Sequence, residues 1–366
     1  MASKTLIAGM AFAACGLASA QTSLTLFGVV DAAVQHGSGS IANRNQLGSG
    51  GLNASRLGFR GTEQLTGGMW AGFWLEAGLN EDNGTGTLTN TNNQASGAPA
   101  SLNGAQGMTF SRRSTVSLGG DWGEIRVGRD YTPQYMNIKV YDPTDAVGVG
   151  TAVNVTNIIT GPTSQRASNT VTYFSPKVGG FFGEVQYYFG ENASNAANKD
   201  DGNGGGIRVG YGSGPIEFAV ATSRTDYLAG NSRQSNVGGQ YDFGFAKVLA
   251  NYSRDEGLVQ VAAAPVPLAT AKAKGWSLGA IIPHGSNEFK LGYSRYSIDV
   301  VDPAFADPQA TKFMASWNYR FSKRTAVYTT VAHVRTRGGS ATALLGAVTG
   351  PNENSAGYEV GLRHSF

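Results

Sequence analysis

The chain has 366 residues, with 52 Gly, 17 Phe, 15 Tyr and a single Cys, and only 14% of its residues are charged. Its 28 Lys and Arg against 25 Asp and Glu give a formal net charge of +3, too balanced for the basic face of a nucleic-acid binder. The mean hydropathy is −0.19, and no run beyond the N-terminal segment approaches the ~20 apolar residues of a spanning helix, which excludes a helical membrane protein.

The first element is an export segment. MASKTLIAGMAFAACGLASA places Lys4 ahead of an apolar run from Leu6 to about Leu17, followed by Ala18-Ser19-Ala20. That is the layout of a secretory signal peptide, with cleavage expected after Ala20. Cys15 lies inside it, so residues 21–366 contain no cysteine and no disulfide. Loss of Lys4 leaves a net charge of about +2. No linker divides the remainder, which reads as one all-β unit.

From residue 22 onward the dominant signal has period two, the mark of strands with two unlike faces. FFGEVQYYFG sets Phe181, Val185, Tyr187 and Phe189 against Glu184, Gln186 and Tyr188. FMASWNYRF sets Phe313, Ala315, Trp317, Tyr319 and Phe321 against Met314, Ser316, Asn318 and Arg320. Cuts at turn signals predict strands over 22–36, 53–63, 68–80, 108–120, 123–132, 168–176, 179–190, 204–213, 215–226, 233–243, 244–255, 272–283, 286–298, 309–321, 324–337 and 355–366. No amphipathic helix is predicted.

The connections alternate short and long. Thr66-Gly67-Gly68, Asp121-Trp122, Lys177-Val178, Gly214 and Phe321-Ser322-Lys323 are short. The long ones span 37–52, 81–107, 133–167, 191–203, 256–271, 299–308 and 338–354. One-sided loop elongation, an even strand count and aromatic residues near strand ends describe an outer-membrane β-barrel, with short turns periplasmic and long loops extracellular. A soluble sandwich also alternates, but a unit this long would normally split into domains. In lipid, only a closed barrel pairs every backbone group without spanning helices.

Strict alternation points Leu57 and Phe59 to lipid and Arg56 and Arg60 to the lumen. In 108–120, Val116 and Leu118 facing lipid would point Arg113 inward and Arg112 outward, and a bulge or loop start would reverse this. Glu76 is expected inward beside Trp74. A barrel of about sixteen strands encloses water, so such charges are stable there and set selectivity. Arginine suits an anion filter because it stays charged at any working pH.

Several runs, in order, resemble the general porins of β-proteobacteria: QTSLTLFGVVDAAV, SRLGFRGTEQLTGG, GFWLEAGL, SRRSTVSLGGDWGEIRVGRDYTP, VTYFSPKVGGFFGEVQY and GYEVGLRHSF. The resemblance spans 21–366 and is weakest in the loops. It implies a sixteen-stranded antiparallel transmembrane barrel of the outer membrane, a homotrimer with periplasmic termini, passing small anions and hydrophilic solutes. It also implies contact with outer-membrane lipids and lipopolysaccharide, and with the barrel assembly machinery through Phe366. In that family the third loop folds into the barrel; the matching segment here is about 133–166. Some relatives carry Pro-Glu-Phe in this loop, where this chain has Pro133-Gln134-Tyr135. Any acidic edge is then expected from Asp142 and Asp145. The family pattern places pore arginines at Arg56, Arg112 and Arg166, favouring Arg112 over Arg113.

Other motifs carry less. GWSLG, Gly275 to Gly279, matches a nucleophile elbow, which needs a strand–turn–helix, yet Ser277 is predicted mid-strand. The four histidines, at 36, 284, 333 and 364, show no metal-binding spacing. Asp200-Asp201-Gly202-Asn203-Gly204 reads as a solvated loop rather than a cation site. Gly148-Val149-Gly150 lacks the third glycine and helix of a dinucleotide site. No cofactor, metal or catalytic residue is expected. Besides a diffusion porin, two readings stand: a solute-specific channel and an outer-membrane barrel hydrolase.

Overall fold

A computed structural model describes residues 23–90, 92–94, 107–156, 161–228, 230–259, 269–300 and 306–366. The export segment at 1–20 lies outside them. The described residues form eighteen strand segments in one sheet. The first nine are β1 (Ser23–Ser38), β2 (Arg44–Ser49), β3 (Arg56–Gln64), β4 (Trp70–Asn80), β5 (Thr85–Gly86), β6 (Arg113–Gly120), β7 (Gly123–Tyr131), β8 (Arg166–Phe174) and β9 (Phe181–Tyr188). The rest are β10 (Gly204–Ser213), β11 (Ile216–Thr225), β12 (Ser232–Asp242), β13 (Lys247–Val259), β14 (Ala269–His284), β15 (Asn287–Val300), β16 (Gln309–Arg320), β17 (Thr325–Arg337) and β18 (Ser355–Ser365).

Sixteen wall positions result, because β2 and β3 share one and β5 only extends β4. All pairings are antiparallel, and β1 closes the wall against β18, with Val34 opposite Val360 and Gln35 opposite Glu359. Each predicted strand is present. β2 and β5 were not predicted; they fall in segments read as the first two long connections. Both are short, polar and glycine-containing, so neither carries an alternation signal.

The two faces follow the sequence pattern. Val185, Tyr187, Phe218, Val220, Leu278, Phe313, Val360 and Leu362 lie outward and exposed, while Glu184, Gln186, Asn318 and Glu359 lie inward and buried. The inner face is not uniformly polar. Ala271, Ala273, Tyr296, Met314 and Val334 pack with Val149, Val153 and Leu344 into an apolar cluster on the inner side of β14–β17.

That cluster exists because the third long loop lies inside the barrel. It carries two short helices, α1 (Pro133–Val140) and α2 (Val153–Thr156). α1 starts on Pro133, whose missing N–H loses nothing in the first turn. It meets the wall through two amides: Asn137 Nδ2 donates to Ala219 O (3.1 Å) and Asn236 Oδ1 (2.6 Å), and Gln134 Nε2 to Gln234 Oε1 (2.7 Å), while Tyr135 and Ile138 pack with Ala152 and Val155 of the loop itself. A helix docked on a polar lumen wall needs no apolar stripe, so the absence of a helical period in 133–140 hid it. Further along, Val153 N donates to Ser294 Oγ (3.0 Å), Lys312 Nζ to Thr151 O (2.7 Å) and Val149 N to Glu359 Oε1 (3.1 Å). The loop is therefore tied to β11–β12, β15, β16 and β18 in turn.

A second inward excursion, 50–55, joins β2 to β3. It wraps the buried Asp31 carboxylate, which accepts from Leu52 N (2.9 Å), Asn53 N (2.6 Å) and Tyr328 Oη (2.5 Å). At the opposite end, the Phe366 ring covers Gly28. A Cβ there would stand 2.3 Å from Phe366 Cζ, and the two residues exchange backbone hydrogen bonds at 3.1 Å.

Candidate pore constriction

One stretch of the lumen is bounded on the wall side by β3, β4 and β8 and on the other by the inward loop. Its lining includes Arg56, Glu76, Arg112, Tyr131, Lys139, Asp145 and Arg166. Glu76 sits between two arginines, with Arg112 Nε at 2.6 Å and Arg56 Nε at 3.7 Å from its Oε1. Trp74 Nε1 donates to its other oxygen at 3.0 Å. Arg166 Nε donates to Arg112 O (2.9 Å) and Arg166 Nη2 to Tyr131 Oη (2.6 Å), with its guanidinium 4.1 Å from the centre of the Tyr131 ring. Each arginine is thus held by groups that are themselves held.

The Arg112–Arg113 ambiguity resolves because Arg112 lies one residue ahead of β6. Arg113 stands opposite Glu76 in the ladder and faces inward, as strict alternation requires. Arg112, off the strand end, is free to turn back to the Glu76 carboxylate. Arg113 Nε donates to Thr115 Oγ1 (3.0 Å) and lies 3.6 Å from Asp130 Oδ2, its guanidinium 4.6 Å over Trp74. Arg60 packs over Phe27 and Trp74, at 5.3 and 5.0 Å. These two arginines belong to a neighbouring layer and do not line the stretch around Glu76.

The two aspartates separate. Asp145 reaches the lining and pairs with Lys139. Asp142 does not: it is 4% exposed. Its carboxylate accepts from Thr144 N (2.9 Å), Thr144 Oγ1 (2.9 Å) and Ala152 N (3.0 Å), which staples the loop to itself. Burial raises its carboxyl above the usual 3.8. The expected acidic edge is therefore Asp145 alone.

Sequence reasoning missed Tyr131, Tyr135 and Lys139. Tyr135 and Lys139, four residues apart, share one face of α1, and Tyr131 ends β7 just ahead of it. Tyr131 and Tyr135 stack at 5.4 Å, and burial pushes the Tyr135 phenol up, so it stays neutral. Arg126 was also missed; it pairs with Glu124 (2.9 Å) and Asp130 (2.6 Å). Ser277 lies mid-β14 opposite Asn251 and Ser294, without the strand–turn–helix of a nucleophile elbow.

A closed barrel with a polar lumen, narrowed by its own third loop and lined there by fixed charges, is a membrane channel. The comparisons agree: a family model described as Gram-negative porin matches residues 5–339, and the chain belongs to that family. It is similar to the outer membrane porin protein 32 of Delftia acidovorans, 34% identical over 99% of each chain. It is also similar to an outer membrane porin protein of Bordetella pertussis, 28% identical over 89% of this chain and 92% of that one. Among solved structures, the anion-selective porin from Comamonas acidovorans superposes with a TM-score of 0.80 at 30% identity, covering 94% of this chain and 100% of that chain. OmpT of Vibrio cholerae, at a TM-score of 0.63 and 15% identity over 94% of this chain and 99% of that chain, shares the fold. The chain is an outer-membrane porin, a route for passive diffusion of small hydrophilic solutes.

Proposed function

We propose that the channel prefers small anions and that Arg56, Arg112 and Arg166 form its filter. The observation that carries this is the charge balance of the lining: those three arginines and Lys139 face only Glu76 and Asp145. The excess is positive by two, and in a narrow stretch of the channel it lowers the barrier for anions. The likeness to a porin described as anion-selective supports the same sign. Arg60 and Arg113 act in this reading as a second cationic layer, and Asp145 as the acidic rim opposite. Asp142 holds the loop in place. The reading has no catalytic step. Residues 1–20 serve as a removable export segment, and the subunit works as a homotrimer, in keeping with the trimer form described for OmpT of Vibrio cholerae. Phe366, outward at the short-turn end, serves as the contact read by the assembly machinery.

The test is solute flux into proteoliposomes. Size-matched neutral, anionic and cationic solutes should enter in the order anion, neutral, cation. Entry of the cation ahead of the anion would refute the filter. Saturation by one solute at low concentration would favour a solute-specific channel.

A further inference from the structure

One arginine beside the constriction points away from the lumen. Arg129 sits at an irregularity of β7. Gly128 pairs with Thr170 and Asp130 with Ala167, so a single residue of β7 faces two of β8, and Arg129 has no ladder partner there. On its other side Arg129 stands opposite Ser114 of β6, which shares the outward parity of Val116 and Leu118. Val127, two residues earlier on β7, is also outward and exposed. Arg129 keeps to that outer face. Asp130 turns inward instead and is taken by Arg126 (2.6 Å) and Arg113 (3.6 Å).

The second long loop covers it. Asn93 Nδ2 donates to Ser168 O (2.7 Å), Ser168 N donates to Asn93 Oδ1 (2.7 Å), and Ser168 Oγ donates to Asn90 O (2.9 Å). Under this cover Arg129 Nη1 donates to Asn90 Oδ1 (2.6 Å) and Ser168 Oγ (2.9 Å), and Arg129 Nε donates to Ser111 O (2.7 Å). All three acceptors are neutral. The sequence has no Asp or Glu between 83 and 110, nor in β8, so neither covering segment has a carboxylate to offer. Among the described residues Arg129 forms no ion pair, whereas Arg56, Arg112, Arg113 and Arg126 each do. Its hydrogen bonds would be met as well by a neutral amide. What the positive charge adds is field.

That field reaches the lumen at the filter. Ser111 O and Arg112 O are consecutive carbonyls; Arg129 holds the first, and Arg166 Nε holds the second at 2.9 Å. Arg112 projects from the same stretch to Glu76. Three guanidiniums therefore surround two residues of backbone, and those of Arg129 and Arg166 stand close enough to repel one another. A wall one strand thick leaves the Arg129 charge on the order of 10 Å from a passing ion, about the spacing of two packed sheets. That is one Debye length at about 0.1 M salt, and partly buried charges are screened less than exposed ones. We propose that Arg129 is a selectivity-determining cation that acts through the wall, adding its unbalanced charge to the potential of Arg56, Arg112 and Arg166 without lining the channel. The inference rests on reading the channel as anion-preferring.

The experiment measures the zero-current potential of the full-length channel in planar bilayers, across a potassium chloride gradient at low ionic strength. Arg129→Gln should lower the anion-to-cation permeability ratio roughly twofold, and Arg129→Lys should keep the native ratio. Asn90→Asp leaves the arginine in place and sets a carboxylate against Nη1, where the amide oxygen now lies at 2.6 Å. It should lower the ratio by a similar factor, roughly twofold. Asn90→Ala loses the same hydrogen bond without adding charge and should leave the ratio unchanged. Single-channel conductance in about 1 M salt, where charge is screened, should be native in all four, since none of these side chains lines the channel. A native ratio in Arg129→Gln or in Asn90→Asp would overturn the proposal. So would an equal loss in Arg129→Lys and Arg129→Gln, or an altered conductance in high salt, because Arg129 would then be a brace for the 111–112 backbone. If Arg129→Gln does not fold, the two Asn90 variants decide. A native channel that passes potassium faster than chloride defeats the filter reading itself. A native channel that prefers chloride, with Arg129→Gln identical to it, defeats this inference alone.

Discussion

Replacing Arg166 by Gln removes one fixed charge from the lining while leaving Glu76 its two arginines. Arg166 holds no carboxylate; its partners are Arg112 O and Tyr131 Oη. An ion passing about 6 Å from the guanidinium in a water-like dielectric gains or loses about 0.7 kcal/mol. In about 0.1 M salt, a Debye length of about 10 Å reduces that to roughly 0.4 kcal/mol. The contribution has opposite sign for an anion and a cation. Its loss therefore shifts the permeability ratio by about 0.8 kcal/mol, roughly fourfold toward cations. In about 1 M salt the Debye length shrinks to about 3 Å and the shift to well under twofold. The assay is the zero-current potential of single channels across a potassium chloride gradient, at low and high salt. Arg166→Lys should retain most of the native value. An unchanged potential in Arg166→Gln at low salt, or a shift of the same size at high salt, would refute the reasoning.

Three further outcomes follow from the same geometry. Glu76→Gln removes the carboxylate that offsets Arg56 and Arg112, so the zero-current potential should move further toward anions by a similar factor; movement toward cations would count against the assignment. Tyr328→Phe deletes the 2.5 Å bond to the buried Asp31 carboxylate and should destabilise the barrel by about 1.5–3 kcal/mol, read by denaturant unfolding in detergent, with an unchanged midpoint as the contrary result. Asp142 lies in the loop with Lys312 facing it, and burial holds its folded pKa above the ordinary 3.8. A raised folded pKa contributes stability that is complete below the ordinary value and lost as pH rises through the folded one. Protection of the 142–152 amides against hydrogen exchange, corrected for intrinsic rates, should therefore weaken between pH 3.8 and the raised pKa; strengthening over that window would contradict it.

What the sequence made legible was whatever period two controls. Lipid demands apolar residues at alternate positions, so runs such as Phe181–Tyr188 and Phe313–Phe321 announced both strand and facing. The loop inside the barrel obeys a different solvent. Its helix α1 packs through Gln134 and Asn137 on a polar wall, so no apolar period marked it, and only Pro133 and the four-residue recurrence of Tyr131, Tyr135 and Lys139 were there to read. Asp142 shows the same limit from another side. An aspartate in a long loop reads as a surface charge, and nothing local signals that Thr144 and Ala152 fold over it. The arginines fared better, because Arg56 and Arg113 inherit their facing from strands. Arg112 escaped alternation by sitting one residue outside β6, where the neighbouring Glu76 rather than the pleat decides its direction.

The central claim, that the lining carries a net positive charge felt by passing ions, is tested most directly by the zero-current potential of the unmodified channel. With potassium chloride more concentrated on one side of a planar bilayer at low ionic strength, the potential should take the sign set by chloride passing faster than potassium, and should shrink toward zero as salt is raised. A potential of the opposite sign would contradict it.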